Sequence, residues 1–277
     1  MDGRPPGLII TADDFGLHTW VNMAVERAYR EGVLSAASLM VAAPGAADAV
    51  ARARANPGLR VGLHLVLADG RAMLPPSEVP DLVDGAGTFG SRMVHDGVRF
   101  FFLSRVRRQL AAEIRAQFEA FAATSLPLDH ANAHKHFHLH PTVLSLMIET
   151  GREFGLKAIR LPREAHVAPL LRPWLALLQR RLRASGIAHN DYLVGLHQSG
   201  HFDESALLAA LGAVPSRGLG EIYLHPATRA GVPGGAPGYR NTDELAALVS
   251  PRVRDACERL RAQGFGFGGF ADLAVRP

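Results

Sequence analysis

Four histidines occupy alternate positions within seven residues of this sequence, at His134, His136, His138 and His140. Imidazole is the commonest metal ligand in proteins and the usual proton carrier near neutral pH. On an extended chain, a period of two would place the four rings on one side. Because the run is internal and is interleaved with Phe137 and Leu139, it does not resemble an expression tag. We favour a metal or catalytic site over a solvated polar loop.

An adjacent pair of carboxylates, Asp13 and Asp14, follows the first apolar segment, residues 8–11. Two carboxylates this close resist joint ionisation, and a bound cation removes that cost. A helix N-cap is the alternative, since Asp is a good capping residue. A single Asp would be enough for a helix cap, so the presence of two favours a cation-binding site. If the backbone stays extended, the two side chains point in opposite directions.

Two histidines at the ends of other apolar segments complete the set. His64 lies within residues 60–67, and His225 follows residues 221–224. A lone histidine in a strand is more often a hydrogen-bonded core residue. His64 is therefore a candidate ligand only because the other candidate site residues accompany it. One carboxylate and two imidazoles suit one divalent ion with positions open to water and substrate. The other Asp can then act as a base and His225 as an acid, as in a metal-assisted hydrolase.

Strand-like and amphipathic segments alternate along the chain, which favours a parallel sheet with helical crossovers. About eight such units predict an α/β fold, an irregular (β/α) barrel that is TIM-barrel-like, as a single domain over residues 1–277. Asp13, Asp14, His64, His134 and His225 all fall at carboxyl ends of predicted strands, where such barrels carry active sites. A doubly wound open sheet is the competing fold, but no glycine-rich phosphate-binding motif follows the first strand. The predicted strands cover residues 8–11, 35–41, 60–67, 128–134, 157–161, 192–196, 221–224 and 265–270, and the predicted helices cover residues 20–31, 46–56, 105–124, 142–154, 169–184, 204–211 and 243–263.

A long segment punctuated by proline and glycine, residues 68–104, is predicted to be a loop insertion that binds or covers substrate. It ends in the apolar cluster 100–103, next to Arg105, Arg107 and Arg108. The cluster either belongs to the core or forms an apolar patch with a basic rim that suits an amphiphilic ligand.

The composition indicates which cellular compartment and which partners to expect. The chain has 277 residues, a net charge of +4 and one cysteine, Cys257, so an intrachain disulfide is excluded and a reducing compartment is plausible. The first six residues lack an apolar signal core, and no apolar stretch is long enough to span a bilayer. We expect a cytoplasmic protein with peripheral contact to the inner membrane as an open alternative. Nucleic acid is not an expected partner, because aromatic residues are not interleaved with the basic clusters. The sequence leaves open whether the protein forms a homodimer.

Four motifs together carry a resemblance to a known family: residues 12–16 (Ala-Asp-Asp-Phe-Gly), 62–65 (Gly-Leu-His-Leu), 134–141 (His-Lys-His-Phe-His-Leu-His-Pro) and 224–226 (Leu-His-Pro). In order and spacing they resemble the YdjC-like carbohydrate deacetylases, the family of chitooligosaccharide deacetylase, over nearly the whole chain. The resemblance implies an irregular (β/α) barrel. It also implies one divalent ion, Mg²⁺ or Zn²⁺, bound by Asp14, His64 and His134, with Asp13 as the base.

Within that family, residues 132–141 and 159–164 are most similar to the hopanoid-biosynthesis-associated deacetylase. This similarity implies removal of an N-acetyl group from an N-acetylglucosaminyl hopanoid lipid, with soluble chitooligosaccharides such as diacetylchitobiose as the alternative substrate. His136 and His138 are expected either to support the ligands or to contact the sugar. Arg163 is expected either to bind substrate or to form an ion pair. Asn132 stands where the wider family usually has Asp, and an amide orients a ligand histidine more weakly.

Two other functions remain to be weighed. A histidine-rich metal-binding or storage protein would hold several ions per chain and would not need Asp13 or His225. A metal-dependent phosphoesterase would need a second metal bridged by carboxylates, and only Asp13 and Asp14 are available near the predicted site.

Overall fold

A computed structural model of the chain describes residues 5–164 and 169–274. Within these ranges the strands form one parallel sheet in the order β4-β3-β2-β1-β6-β5, and the short β7 pairs with the first residues of β1. Every residue of β1 is buried, as expected for a strand covered on both faces of a parallel sheet. The strands are β1 (Gly7–Phe15), β2 (Ala36–Leu39), β3 (Arg60–Leu65), β4 (Ala131–Ala133), β5 (Tyr192–Val194), β6 (Leu219–Leu224) and β7 (Gly266–Phe267).

Helices follow most strands, so the predicted alternation of an α/β fold is confirmed. Helix α4 packs on α3 and α5 and buries Leu110, Ile114 and Phe118 completely. The helices are α1 (Thr19–Glu31), α2 (Ala46–Ala55), α3 (Met93–Phe102), α4 (Ser104–Ala123), α5 (Pro141–Glu153), α6 (Arg172–Ala184), α7 (Glu204–Gly212), α8 (Asn241–Leu248), α9 (Pro251–Ala262) and α10 (Phe270–Leu273), with 3-10 turns at His134–Leu139 and Pro169–Leu171. Among these helices, none has the length and apolar composition needed to cross a bilayer.

The segment predicted as a strand at residues 157–161 is extended but makes only isolated bridges. Ile159 bridges to Ala131 of β4, and Ala158 bridges to Ala188. The amide of Leu193 in β5 donates to the carbonyl of Arg163 at 2.7 Å. This irregular segment therefore bonds to β4 on one side, and to Ala188 and β5 on the other. The fold is thus a parallel α/β architecture with the irregularity that we predicted, and not a regular eight-stranded barrel.

The predicted loop insertion is partly helical and is held against α4. Glu113 accepts hydrogen bonds from the amides of Met73 and Leu74, at 2.8 and 3.0 Å. Gln117 bonds to both backbone groups of Val66, so the start of the loop is fixed. Residues 93–102, predicted as loop, form α3. That helix buries Phe100 and exposes its two neighbouring phenylalanines, so the apolar cluster divides between core and surface.

Candidate metal centre and active site

Asp14, His64 and His134 converge at the ends of β1, β3 and β4. Asp14 Oδ1 lies 3.3 Å from His64 Nε2 and 3.1 Å from His134 Nδ1, and the two ring nitrogens are 3.3 Å apart. Asp14 Oδ1 is buried but has no well-formed hydrogen bond to any described residue. An orphaned carboxylate oxygen beside two imidazole nitrogens is the donor set of a divalent metal site. These three residues also form the one group with metal-ligand geometry in the described part of the chain.

The two adjacent aspartates reach the same cleft because β1 is irregular at its end. Asp14 has a φ of 62°, in the left-handed region that Asp tolerates better than most residues. The register between β1 and β2 shifts between Ala12 and Phe15, and such a bulge interrupts the strict alternation of side chains. Asp13 and Asp14 both line one cleft with His225. The opposite directions expected of an extended pair therefore do not apply.

The local charges hold Asp14 in its ionised form. Burial by itself would raise the pKa of Asp14, but the close approach of His134, and of His64 beside it, outweighs burial and holds the pKa well below its usual range. The same carboxylate raises the pKa of His134 against the opposing effect of burial. A carboxylate that is ionised before any ion binds is ready to act as a metal ligand.

Asn132 connects the triad to Asp13. Its Oδ1 accepts a hydrogen bond from His64 Nδ1 at 2.6 Å, and its Nδ2 donates to Asp13 Oδ1 at 3.2 Å. With the proton on Nδ1, His64 turns its Nε2 lone pair toward Asp14 and His134, which is the tautomer that a metal ligand needs. The amide Nδ2 also donates to Ser38 Oγ at 2.9 Å.

A chain of buried polar groups continues from Asn132 into the core. Ser38 Oγ lies 3.1 Å from His130 Nε2, and His130 Nδ1 lies 2.8 Å from Asp129 Oδ2. Asp129 also accepts hydrogen bonds from the first amides of α10. Each group fixes the orientation of the next, so the amide of Asn132 is held in one position. The sequence analysis selected neither Ser38 nor His130.

Arg160 is the residue of the site that the sequence analysis missed. Its side chain is fully buried and donates through both Nη atoms to the two carboxylate oxygens of Asp13. Its Nη2 also donates to Glu221 Oε1 at 2.8 Å. Burial would raise the pKa of Asp13, but Arg160 outweighs it and holds that pKa far below its usual range. An arginine inside the apolar segment 157–161 was the available signal, since buried arginines are nearly always paired.

We expect Arg160→Met to destabilise the fold by about 3–5 kcal/mol, because it leaves two buried carboxylates without their cation. Urea denaturation measures this free energy of unfolding, and the comparison is valid when the variants unfold with similar denaturant slopes. The matched control is Arg163→Met, which removes the exposed arginine of the same segment and should change stability by no more than about 0.5 kcal/mol. Equal stability of the two variants would contradict the assigned role of the buried ion pair.

Arg163 itself lies away from this network. Its side chain is exposed and makes a hydrogen bond of 3.4 Å to Gln179 of α6. The structure therefore does not bring Arg163 to the triad, and its placement fits the surface alternative better than substrate binding.

The histidine run is not extended, so the prediction that its four rings share one side is wrong. Residues His134–Leu139 form a 3-10 turn in which Lys135 and His136 have φ values of 54° and 56°. Two successive left-handed residues break the period of two on which the prediction depended. Of the run, only His134 reaches the triad.

The other histidines of the run have separate surroundings. His138 Nδ1 accepts from the amide of Ala133 at 3.1 Å, and its Nε2 donates to the carbonyl of Arg160 at 2.9 Å. Burial, reinforced by the charge of Arg160, lowers the pKa of His138 to about 3, so the ring is neutral and joins β4 to residue 160. His136 Nε2 lies 3.1 Å from the hydroxyl of Tyr223. Burial also lowers its pKa well below the usual value.

His225 lies in the cleft with a free ring nitrogen. Its Nδ1 is buried and has no hydrogen-bond partner in the described ranges, and its ring stands 4.9 Å from the ring of Tyr239. Burial lowers the pKa of His225 although both aspartates raise it, so the resting imidazole is neutral near pH 7. Its backbone is held by Asn241, which donates to the His225 carbonyl at 2.6 Å, and by the carboxylate of Glu244.

Residues 7–259 match the model of a family described as YdjC-like protein. The chain belongs to the YdjC-like family. Two curated relatives carry deacetylase names: the carbohydrate deacetylase of Brevibacillus brevis is 30% identical over 89% of this chain and 92% of its own length. The chitooligosaccharide deacetylase of Serratia marcescens is 29% identical over 96% of this chain and 98% of its own length.

Among solved structures, this YdjC-like chain is similar to a putative cellobiose-phosphate cleavage protein from Enterococcus faecalis. The TM-score is 0.78 at 26% identity, with 99% of this chain and 100% of the other covered. The predicted family is thereby confirmed. The narrower similarity to the hopanoid-associated branch stays a prediction.

Proposed function

We propose that this protein is a metal-dependent carbohydrate N-deacetylase that acts on an N-acetylglucosamine-type sugar. The observation that carries the proposal is the convergence of Asp14, His64 and His134 around an orphaned carboxylate oxygen, in a cleft that also holds Asp13 and His225. The deacetylase names of the relatives support the choice of reaction. Metal ligands, a base and an acid are the groups that amide hydrolysis requires.

A divalent ion held by Asp14, His64 and His134 would polarise the amide carbonyl and make a water molecule easier to deprotonate. Asp13 takes the proton of that water. An ionised carboxylate offers about four lone-pair positions, and Asp13 uses three of them for Arg160 and Asn132. One position stays free for water. Because Arg160 keeps Asp13 ionised, the carboxylate is in the form that accepts a proton, and a metal at the triad would supply the lowered pKa of water that a weak base needs.

His225 returns a proton to the departing amine. The tetrahedral intermediate collapses when the carbon–nitrogen bond breaks, and the amine is a poor leaving group unless it is protonated. A neutral imidazole must first gain the proton that water released, and the free Nδ1 of His225 lies in the same cleft as Asp13. The products are acetate and the free amine of the sugar.

His225→Ala should slow an amide substrate by roughly 10²–10⁴-fold, the usual effect of losing a positioned acid or base. An acetate ester with a good leaving group needs little protonation, so its hydrolysis should be largely spared. Both rates are measured on the same enzyme preparation. Equal losses on amide and ester would show that His225 binds or orients the substrate and does not act as the acid.

We further propose that the sugar is attached to a lipid, as the resemblance to the hopanoid-associated branch implies, with soluble chitooligosaccharides as the alternative. The test compares acetate release from an N-acetylglucosaminyl hopanoid in mixed micelles with release from diacetylchitobiose. The higher kcat/KM identifies the substrate class. The choice between Mg²⁺ and Zn²⁺, the homodimer and the cytoplasmic location stay predictions.

The other two functions fit the site less well. A metal-storage protein would hold several ions, whereas the described residues form one triad, and His136 and His138 of the run bond to the protein. A phosphoesterase with two metals would need Asp13 as a bridging ligand. Arg160 and Asn132 already use three of the roughly four lone-pair positions of that carboxylate, which leaves too few to bridge two metals.

A further inference from the structure

Helix α3 is apolar on its outer side as well as on its inner side. Val98 lies four residues after Val94, and Phe101 and Phe102 lie three and four residues after Val98, which places all four along one side of the helix. Val94 is 85% exposed and Phe102 is 72% exposed. Soluble proteins rarely expose neighbouring apolar side chains of this size without a use for them. We call these four residues the α3 stripe.

A second exposed apolar surface lies on α6 and the 3-10 turn before it. Leu170, Leu171 and Leu177 are 90%, 51% and 55% exposed, and we call them the α6 stripe. Leu177 also lines a shallow groove with Trp174 and Pro141. In the described ranges, seven of the ten exposed large apolar residues belong to the two stripes, and an eighth, Leu103, ends α3.

Both stripes border the short segment 139–141 that follows the histidine turn. The ring of His140 stands 6.3 Å from that of Phe101. Trp174 Nε1 donates to the carbonyl of Leu139 at 3.1 Å, and Pro141 lines the groove beside Leu177. The two stripes therefore flank the same part of the chain, at the end of the turn that positions His134.

The charges beside the α6 stripe are positive and unpaired, whereas Arg99 and Arg105 beside the α3 stripe pair with Asp96 and Asp81. Helix α6 contains no acidic residue, and its arginines at 172, 180, 181 and 183 form no ion pair within the part of the chain that is described. Arg180 and Arg181 line the groove with Leu177. Arg52 on α2, by contrast, pairs with two carboxylates. Apolar side chains rimmed by unpaired arginines are complementary to an anionic lipid surface.

We propose that the α3 and α6 stripes dock this protein on the surface of an anionic lipid bilayer. The apolar side chains enter the boundary between headgroups and acyl chains, and the arginines contact the phosphates. A symmetric contact with a second copy of the chain is disfavoured, because it would set the arginines of α6 against their own equivalents. The docking rests on the proposed function only in one respect: it would present a lipid-linked sugar to the cleft.

The test is co-sedimentation with vesicles of phosphatidylcholine alone and of phosphatidylcholine with phosphatidylglycerol. We expect binding to the anionic vesicles at low salt, weaker binding at high salt and little binding to the neutral vesicles. Arg180→Gln with Arg181→Gln should weaken binding about fivefold for each charge. Phe102→Ser with Leu170→Ser should weaken it roughly tenfold or more. The matched controls are Met23→Ser and Arg259→Gln, which alter an exposed apolar and an exposed basic residue elsewhere.

Turnover of diacetylchitobiose and the thermal midpoint are measured on each variant, and both should stay unchanged because the altered side chains are exposed. Absence of binding to anionic vesicles at low salt would overturn the docking proposal, and so would equal losses in the control variants. Sedimentation velocity showing a dimer that Phe102→Ser with Leu170→Ser dissociates would assign the surface to a second copy instead. Vesicle binding without deacetylase activity would leave the docking intact and reject the proposed reaction.

Discussion

Asp13→Asn should keep the bound divalent ion and lose about 10²–10⁴-fold in the rate of acetate release. The amide oxygen can still accept one of the two hydrogen bonds from Arg160, so the side chain is expected to stay near its position, but it cannot take a proton from water. The metal triad does not include Asp13. Metal content by elemental analysis and kcat on an N-acetylated sugar, measured on one preparation, separate the two effects.

The control is Asp14→Asn, which removes the carboxylate oxygen that lies 3.1 Å from His134 Nδ1 and 3.3 Å from His64 Nε2. That variant should lose the ion together with the activity. If Asp13→Asn loses the ion and Asp14→Asn keeps it, the roles of the two aspartates are exchanged. Unfolding curves of both variants are needed, because Asp13→Asn also weakens a buried ion pair.

His64→Ala should abolish tight binding of the divalent ion, since it removes one of the three ligand atoms. The matched control is Asn132→Ala, which removes only the hydrogen-bond acceptor of His64 Nδ1. Loss of such an outer partner costs roughly 10–100-fold in metal affinity, so Asn132→Ala should bind the ion with an affinity between those of the wild type and His64→Ala. Isothermal titration with Zn²⁺ measures all three constants. Full occupancy of His64→Ala would refute the ligand assignment.

The metal affinity measured in this titration should change with pH in a defined direction. Histidine ligands must be neutral to bind a metal, and Asp14 raises the pKa of the metal-free His134 against the effect of burial. Protons and metal therefore compete for His134. The wild-type affinity should fall as the pH drops through that raised pKa and should level off above it.

The convergence of the three candidate ligands could be predicted because the carboxyl ends of neighbouring parallel strands meet at one edge. Asp14, His64 and His134 each end an apolar segment, and β1, β3 and β4 bring those ends together. Arg160 could not be separated from Arg163 in the same way. Arg160 lies within the segment 157–161 and Arg163 closely follows it, and only the packing against Asp13 and Glu221 decides which one is buried.

Local backbone conformation accounts for the other differences. The left-handed residues Lys135 and His136 turn an apparent strand pattern into a tight turn, and no composition rule marks non-glycine residues for that conformation. Helix α3 was hidden because a proline- and glycine-rich stretch precedes it, and the whole segment was predicted as one loop. The hydrogen bond from Asn132 to Ser38 and the contact between Ser38 and His130 join residues that are distant in sequence.

The most direct test of the proposed activity is acetate release from diacetylchitobiose by protein stripped of metal and then titrated with Zn²⁺ or Mg²⁺. We expect almost no release from the stripped protein, and activity that rises with bound metal and saturates near one ion per chain, as a single-metal hydrolase requires. Acetate and free amine should form in equal amounts. Undiminished release from metal-free protein would contradict the account, and so would the absence of release from the fully loaded protein on both diacetylchitobiose and the N-acetylglucosaminyl lipid.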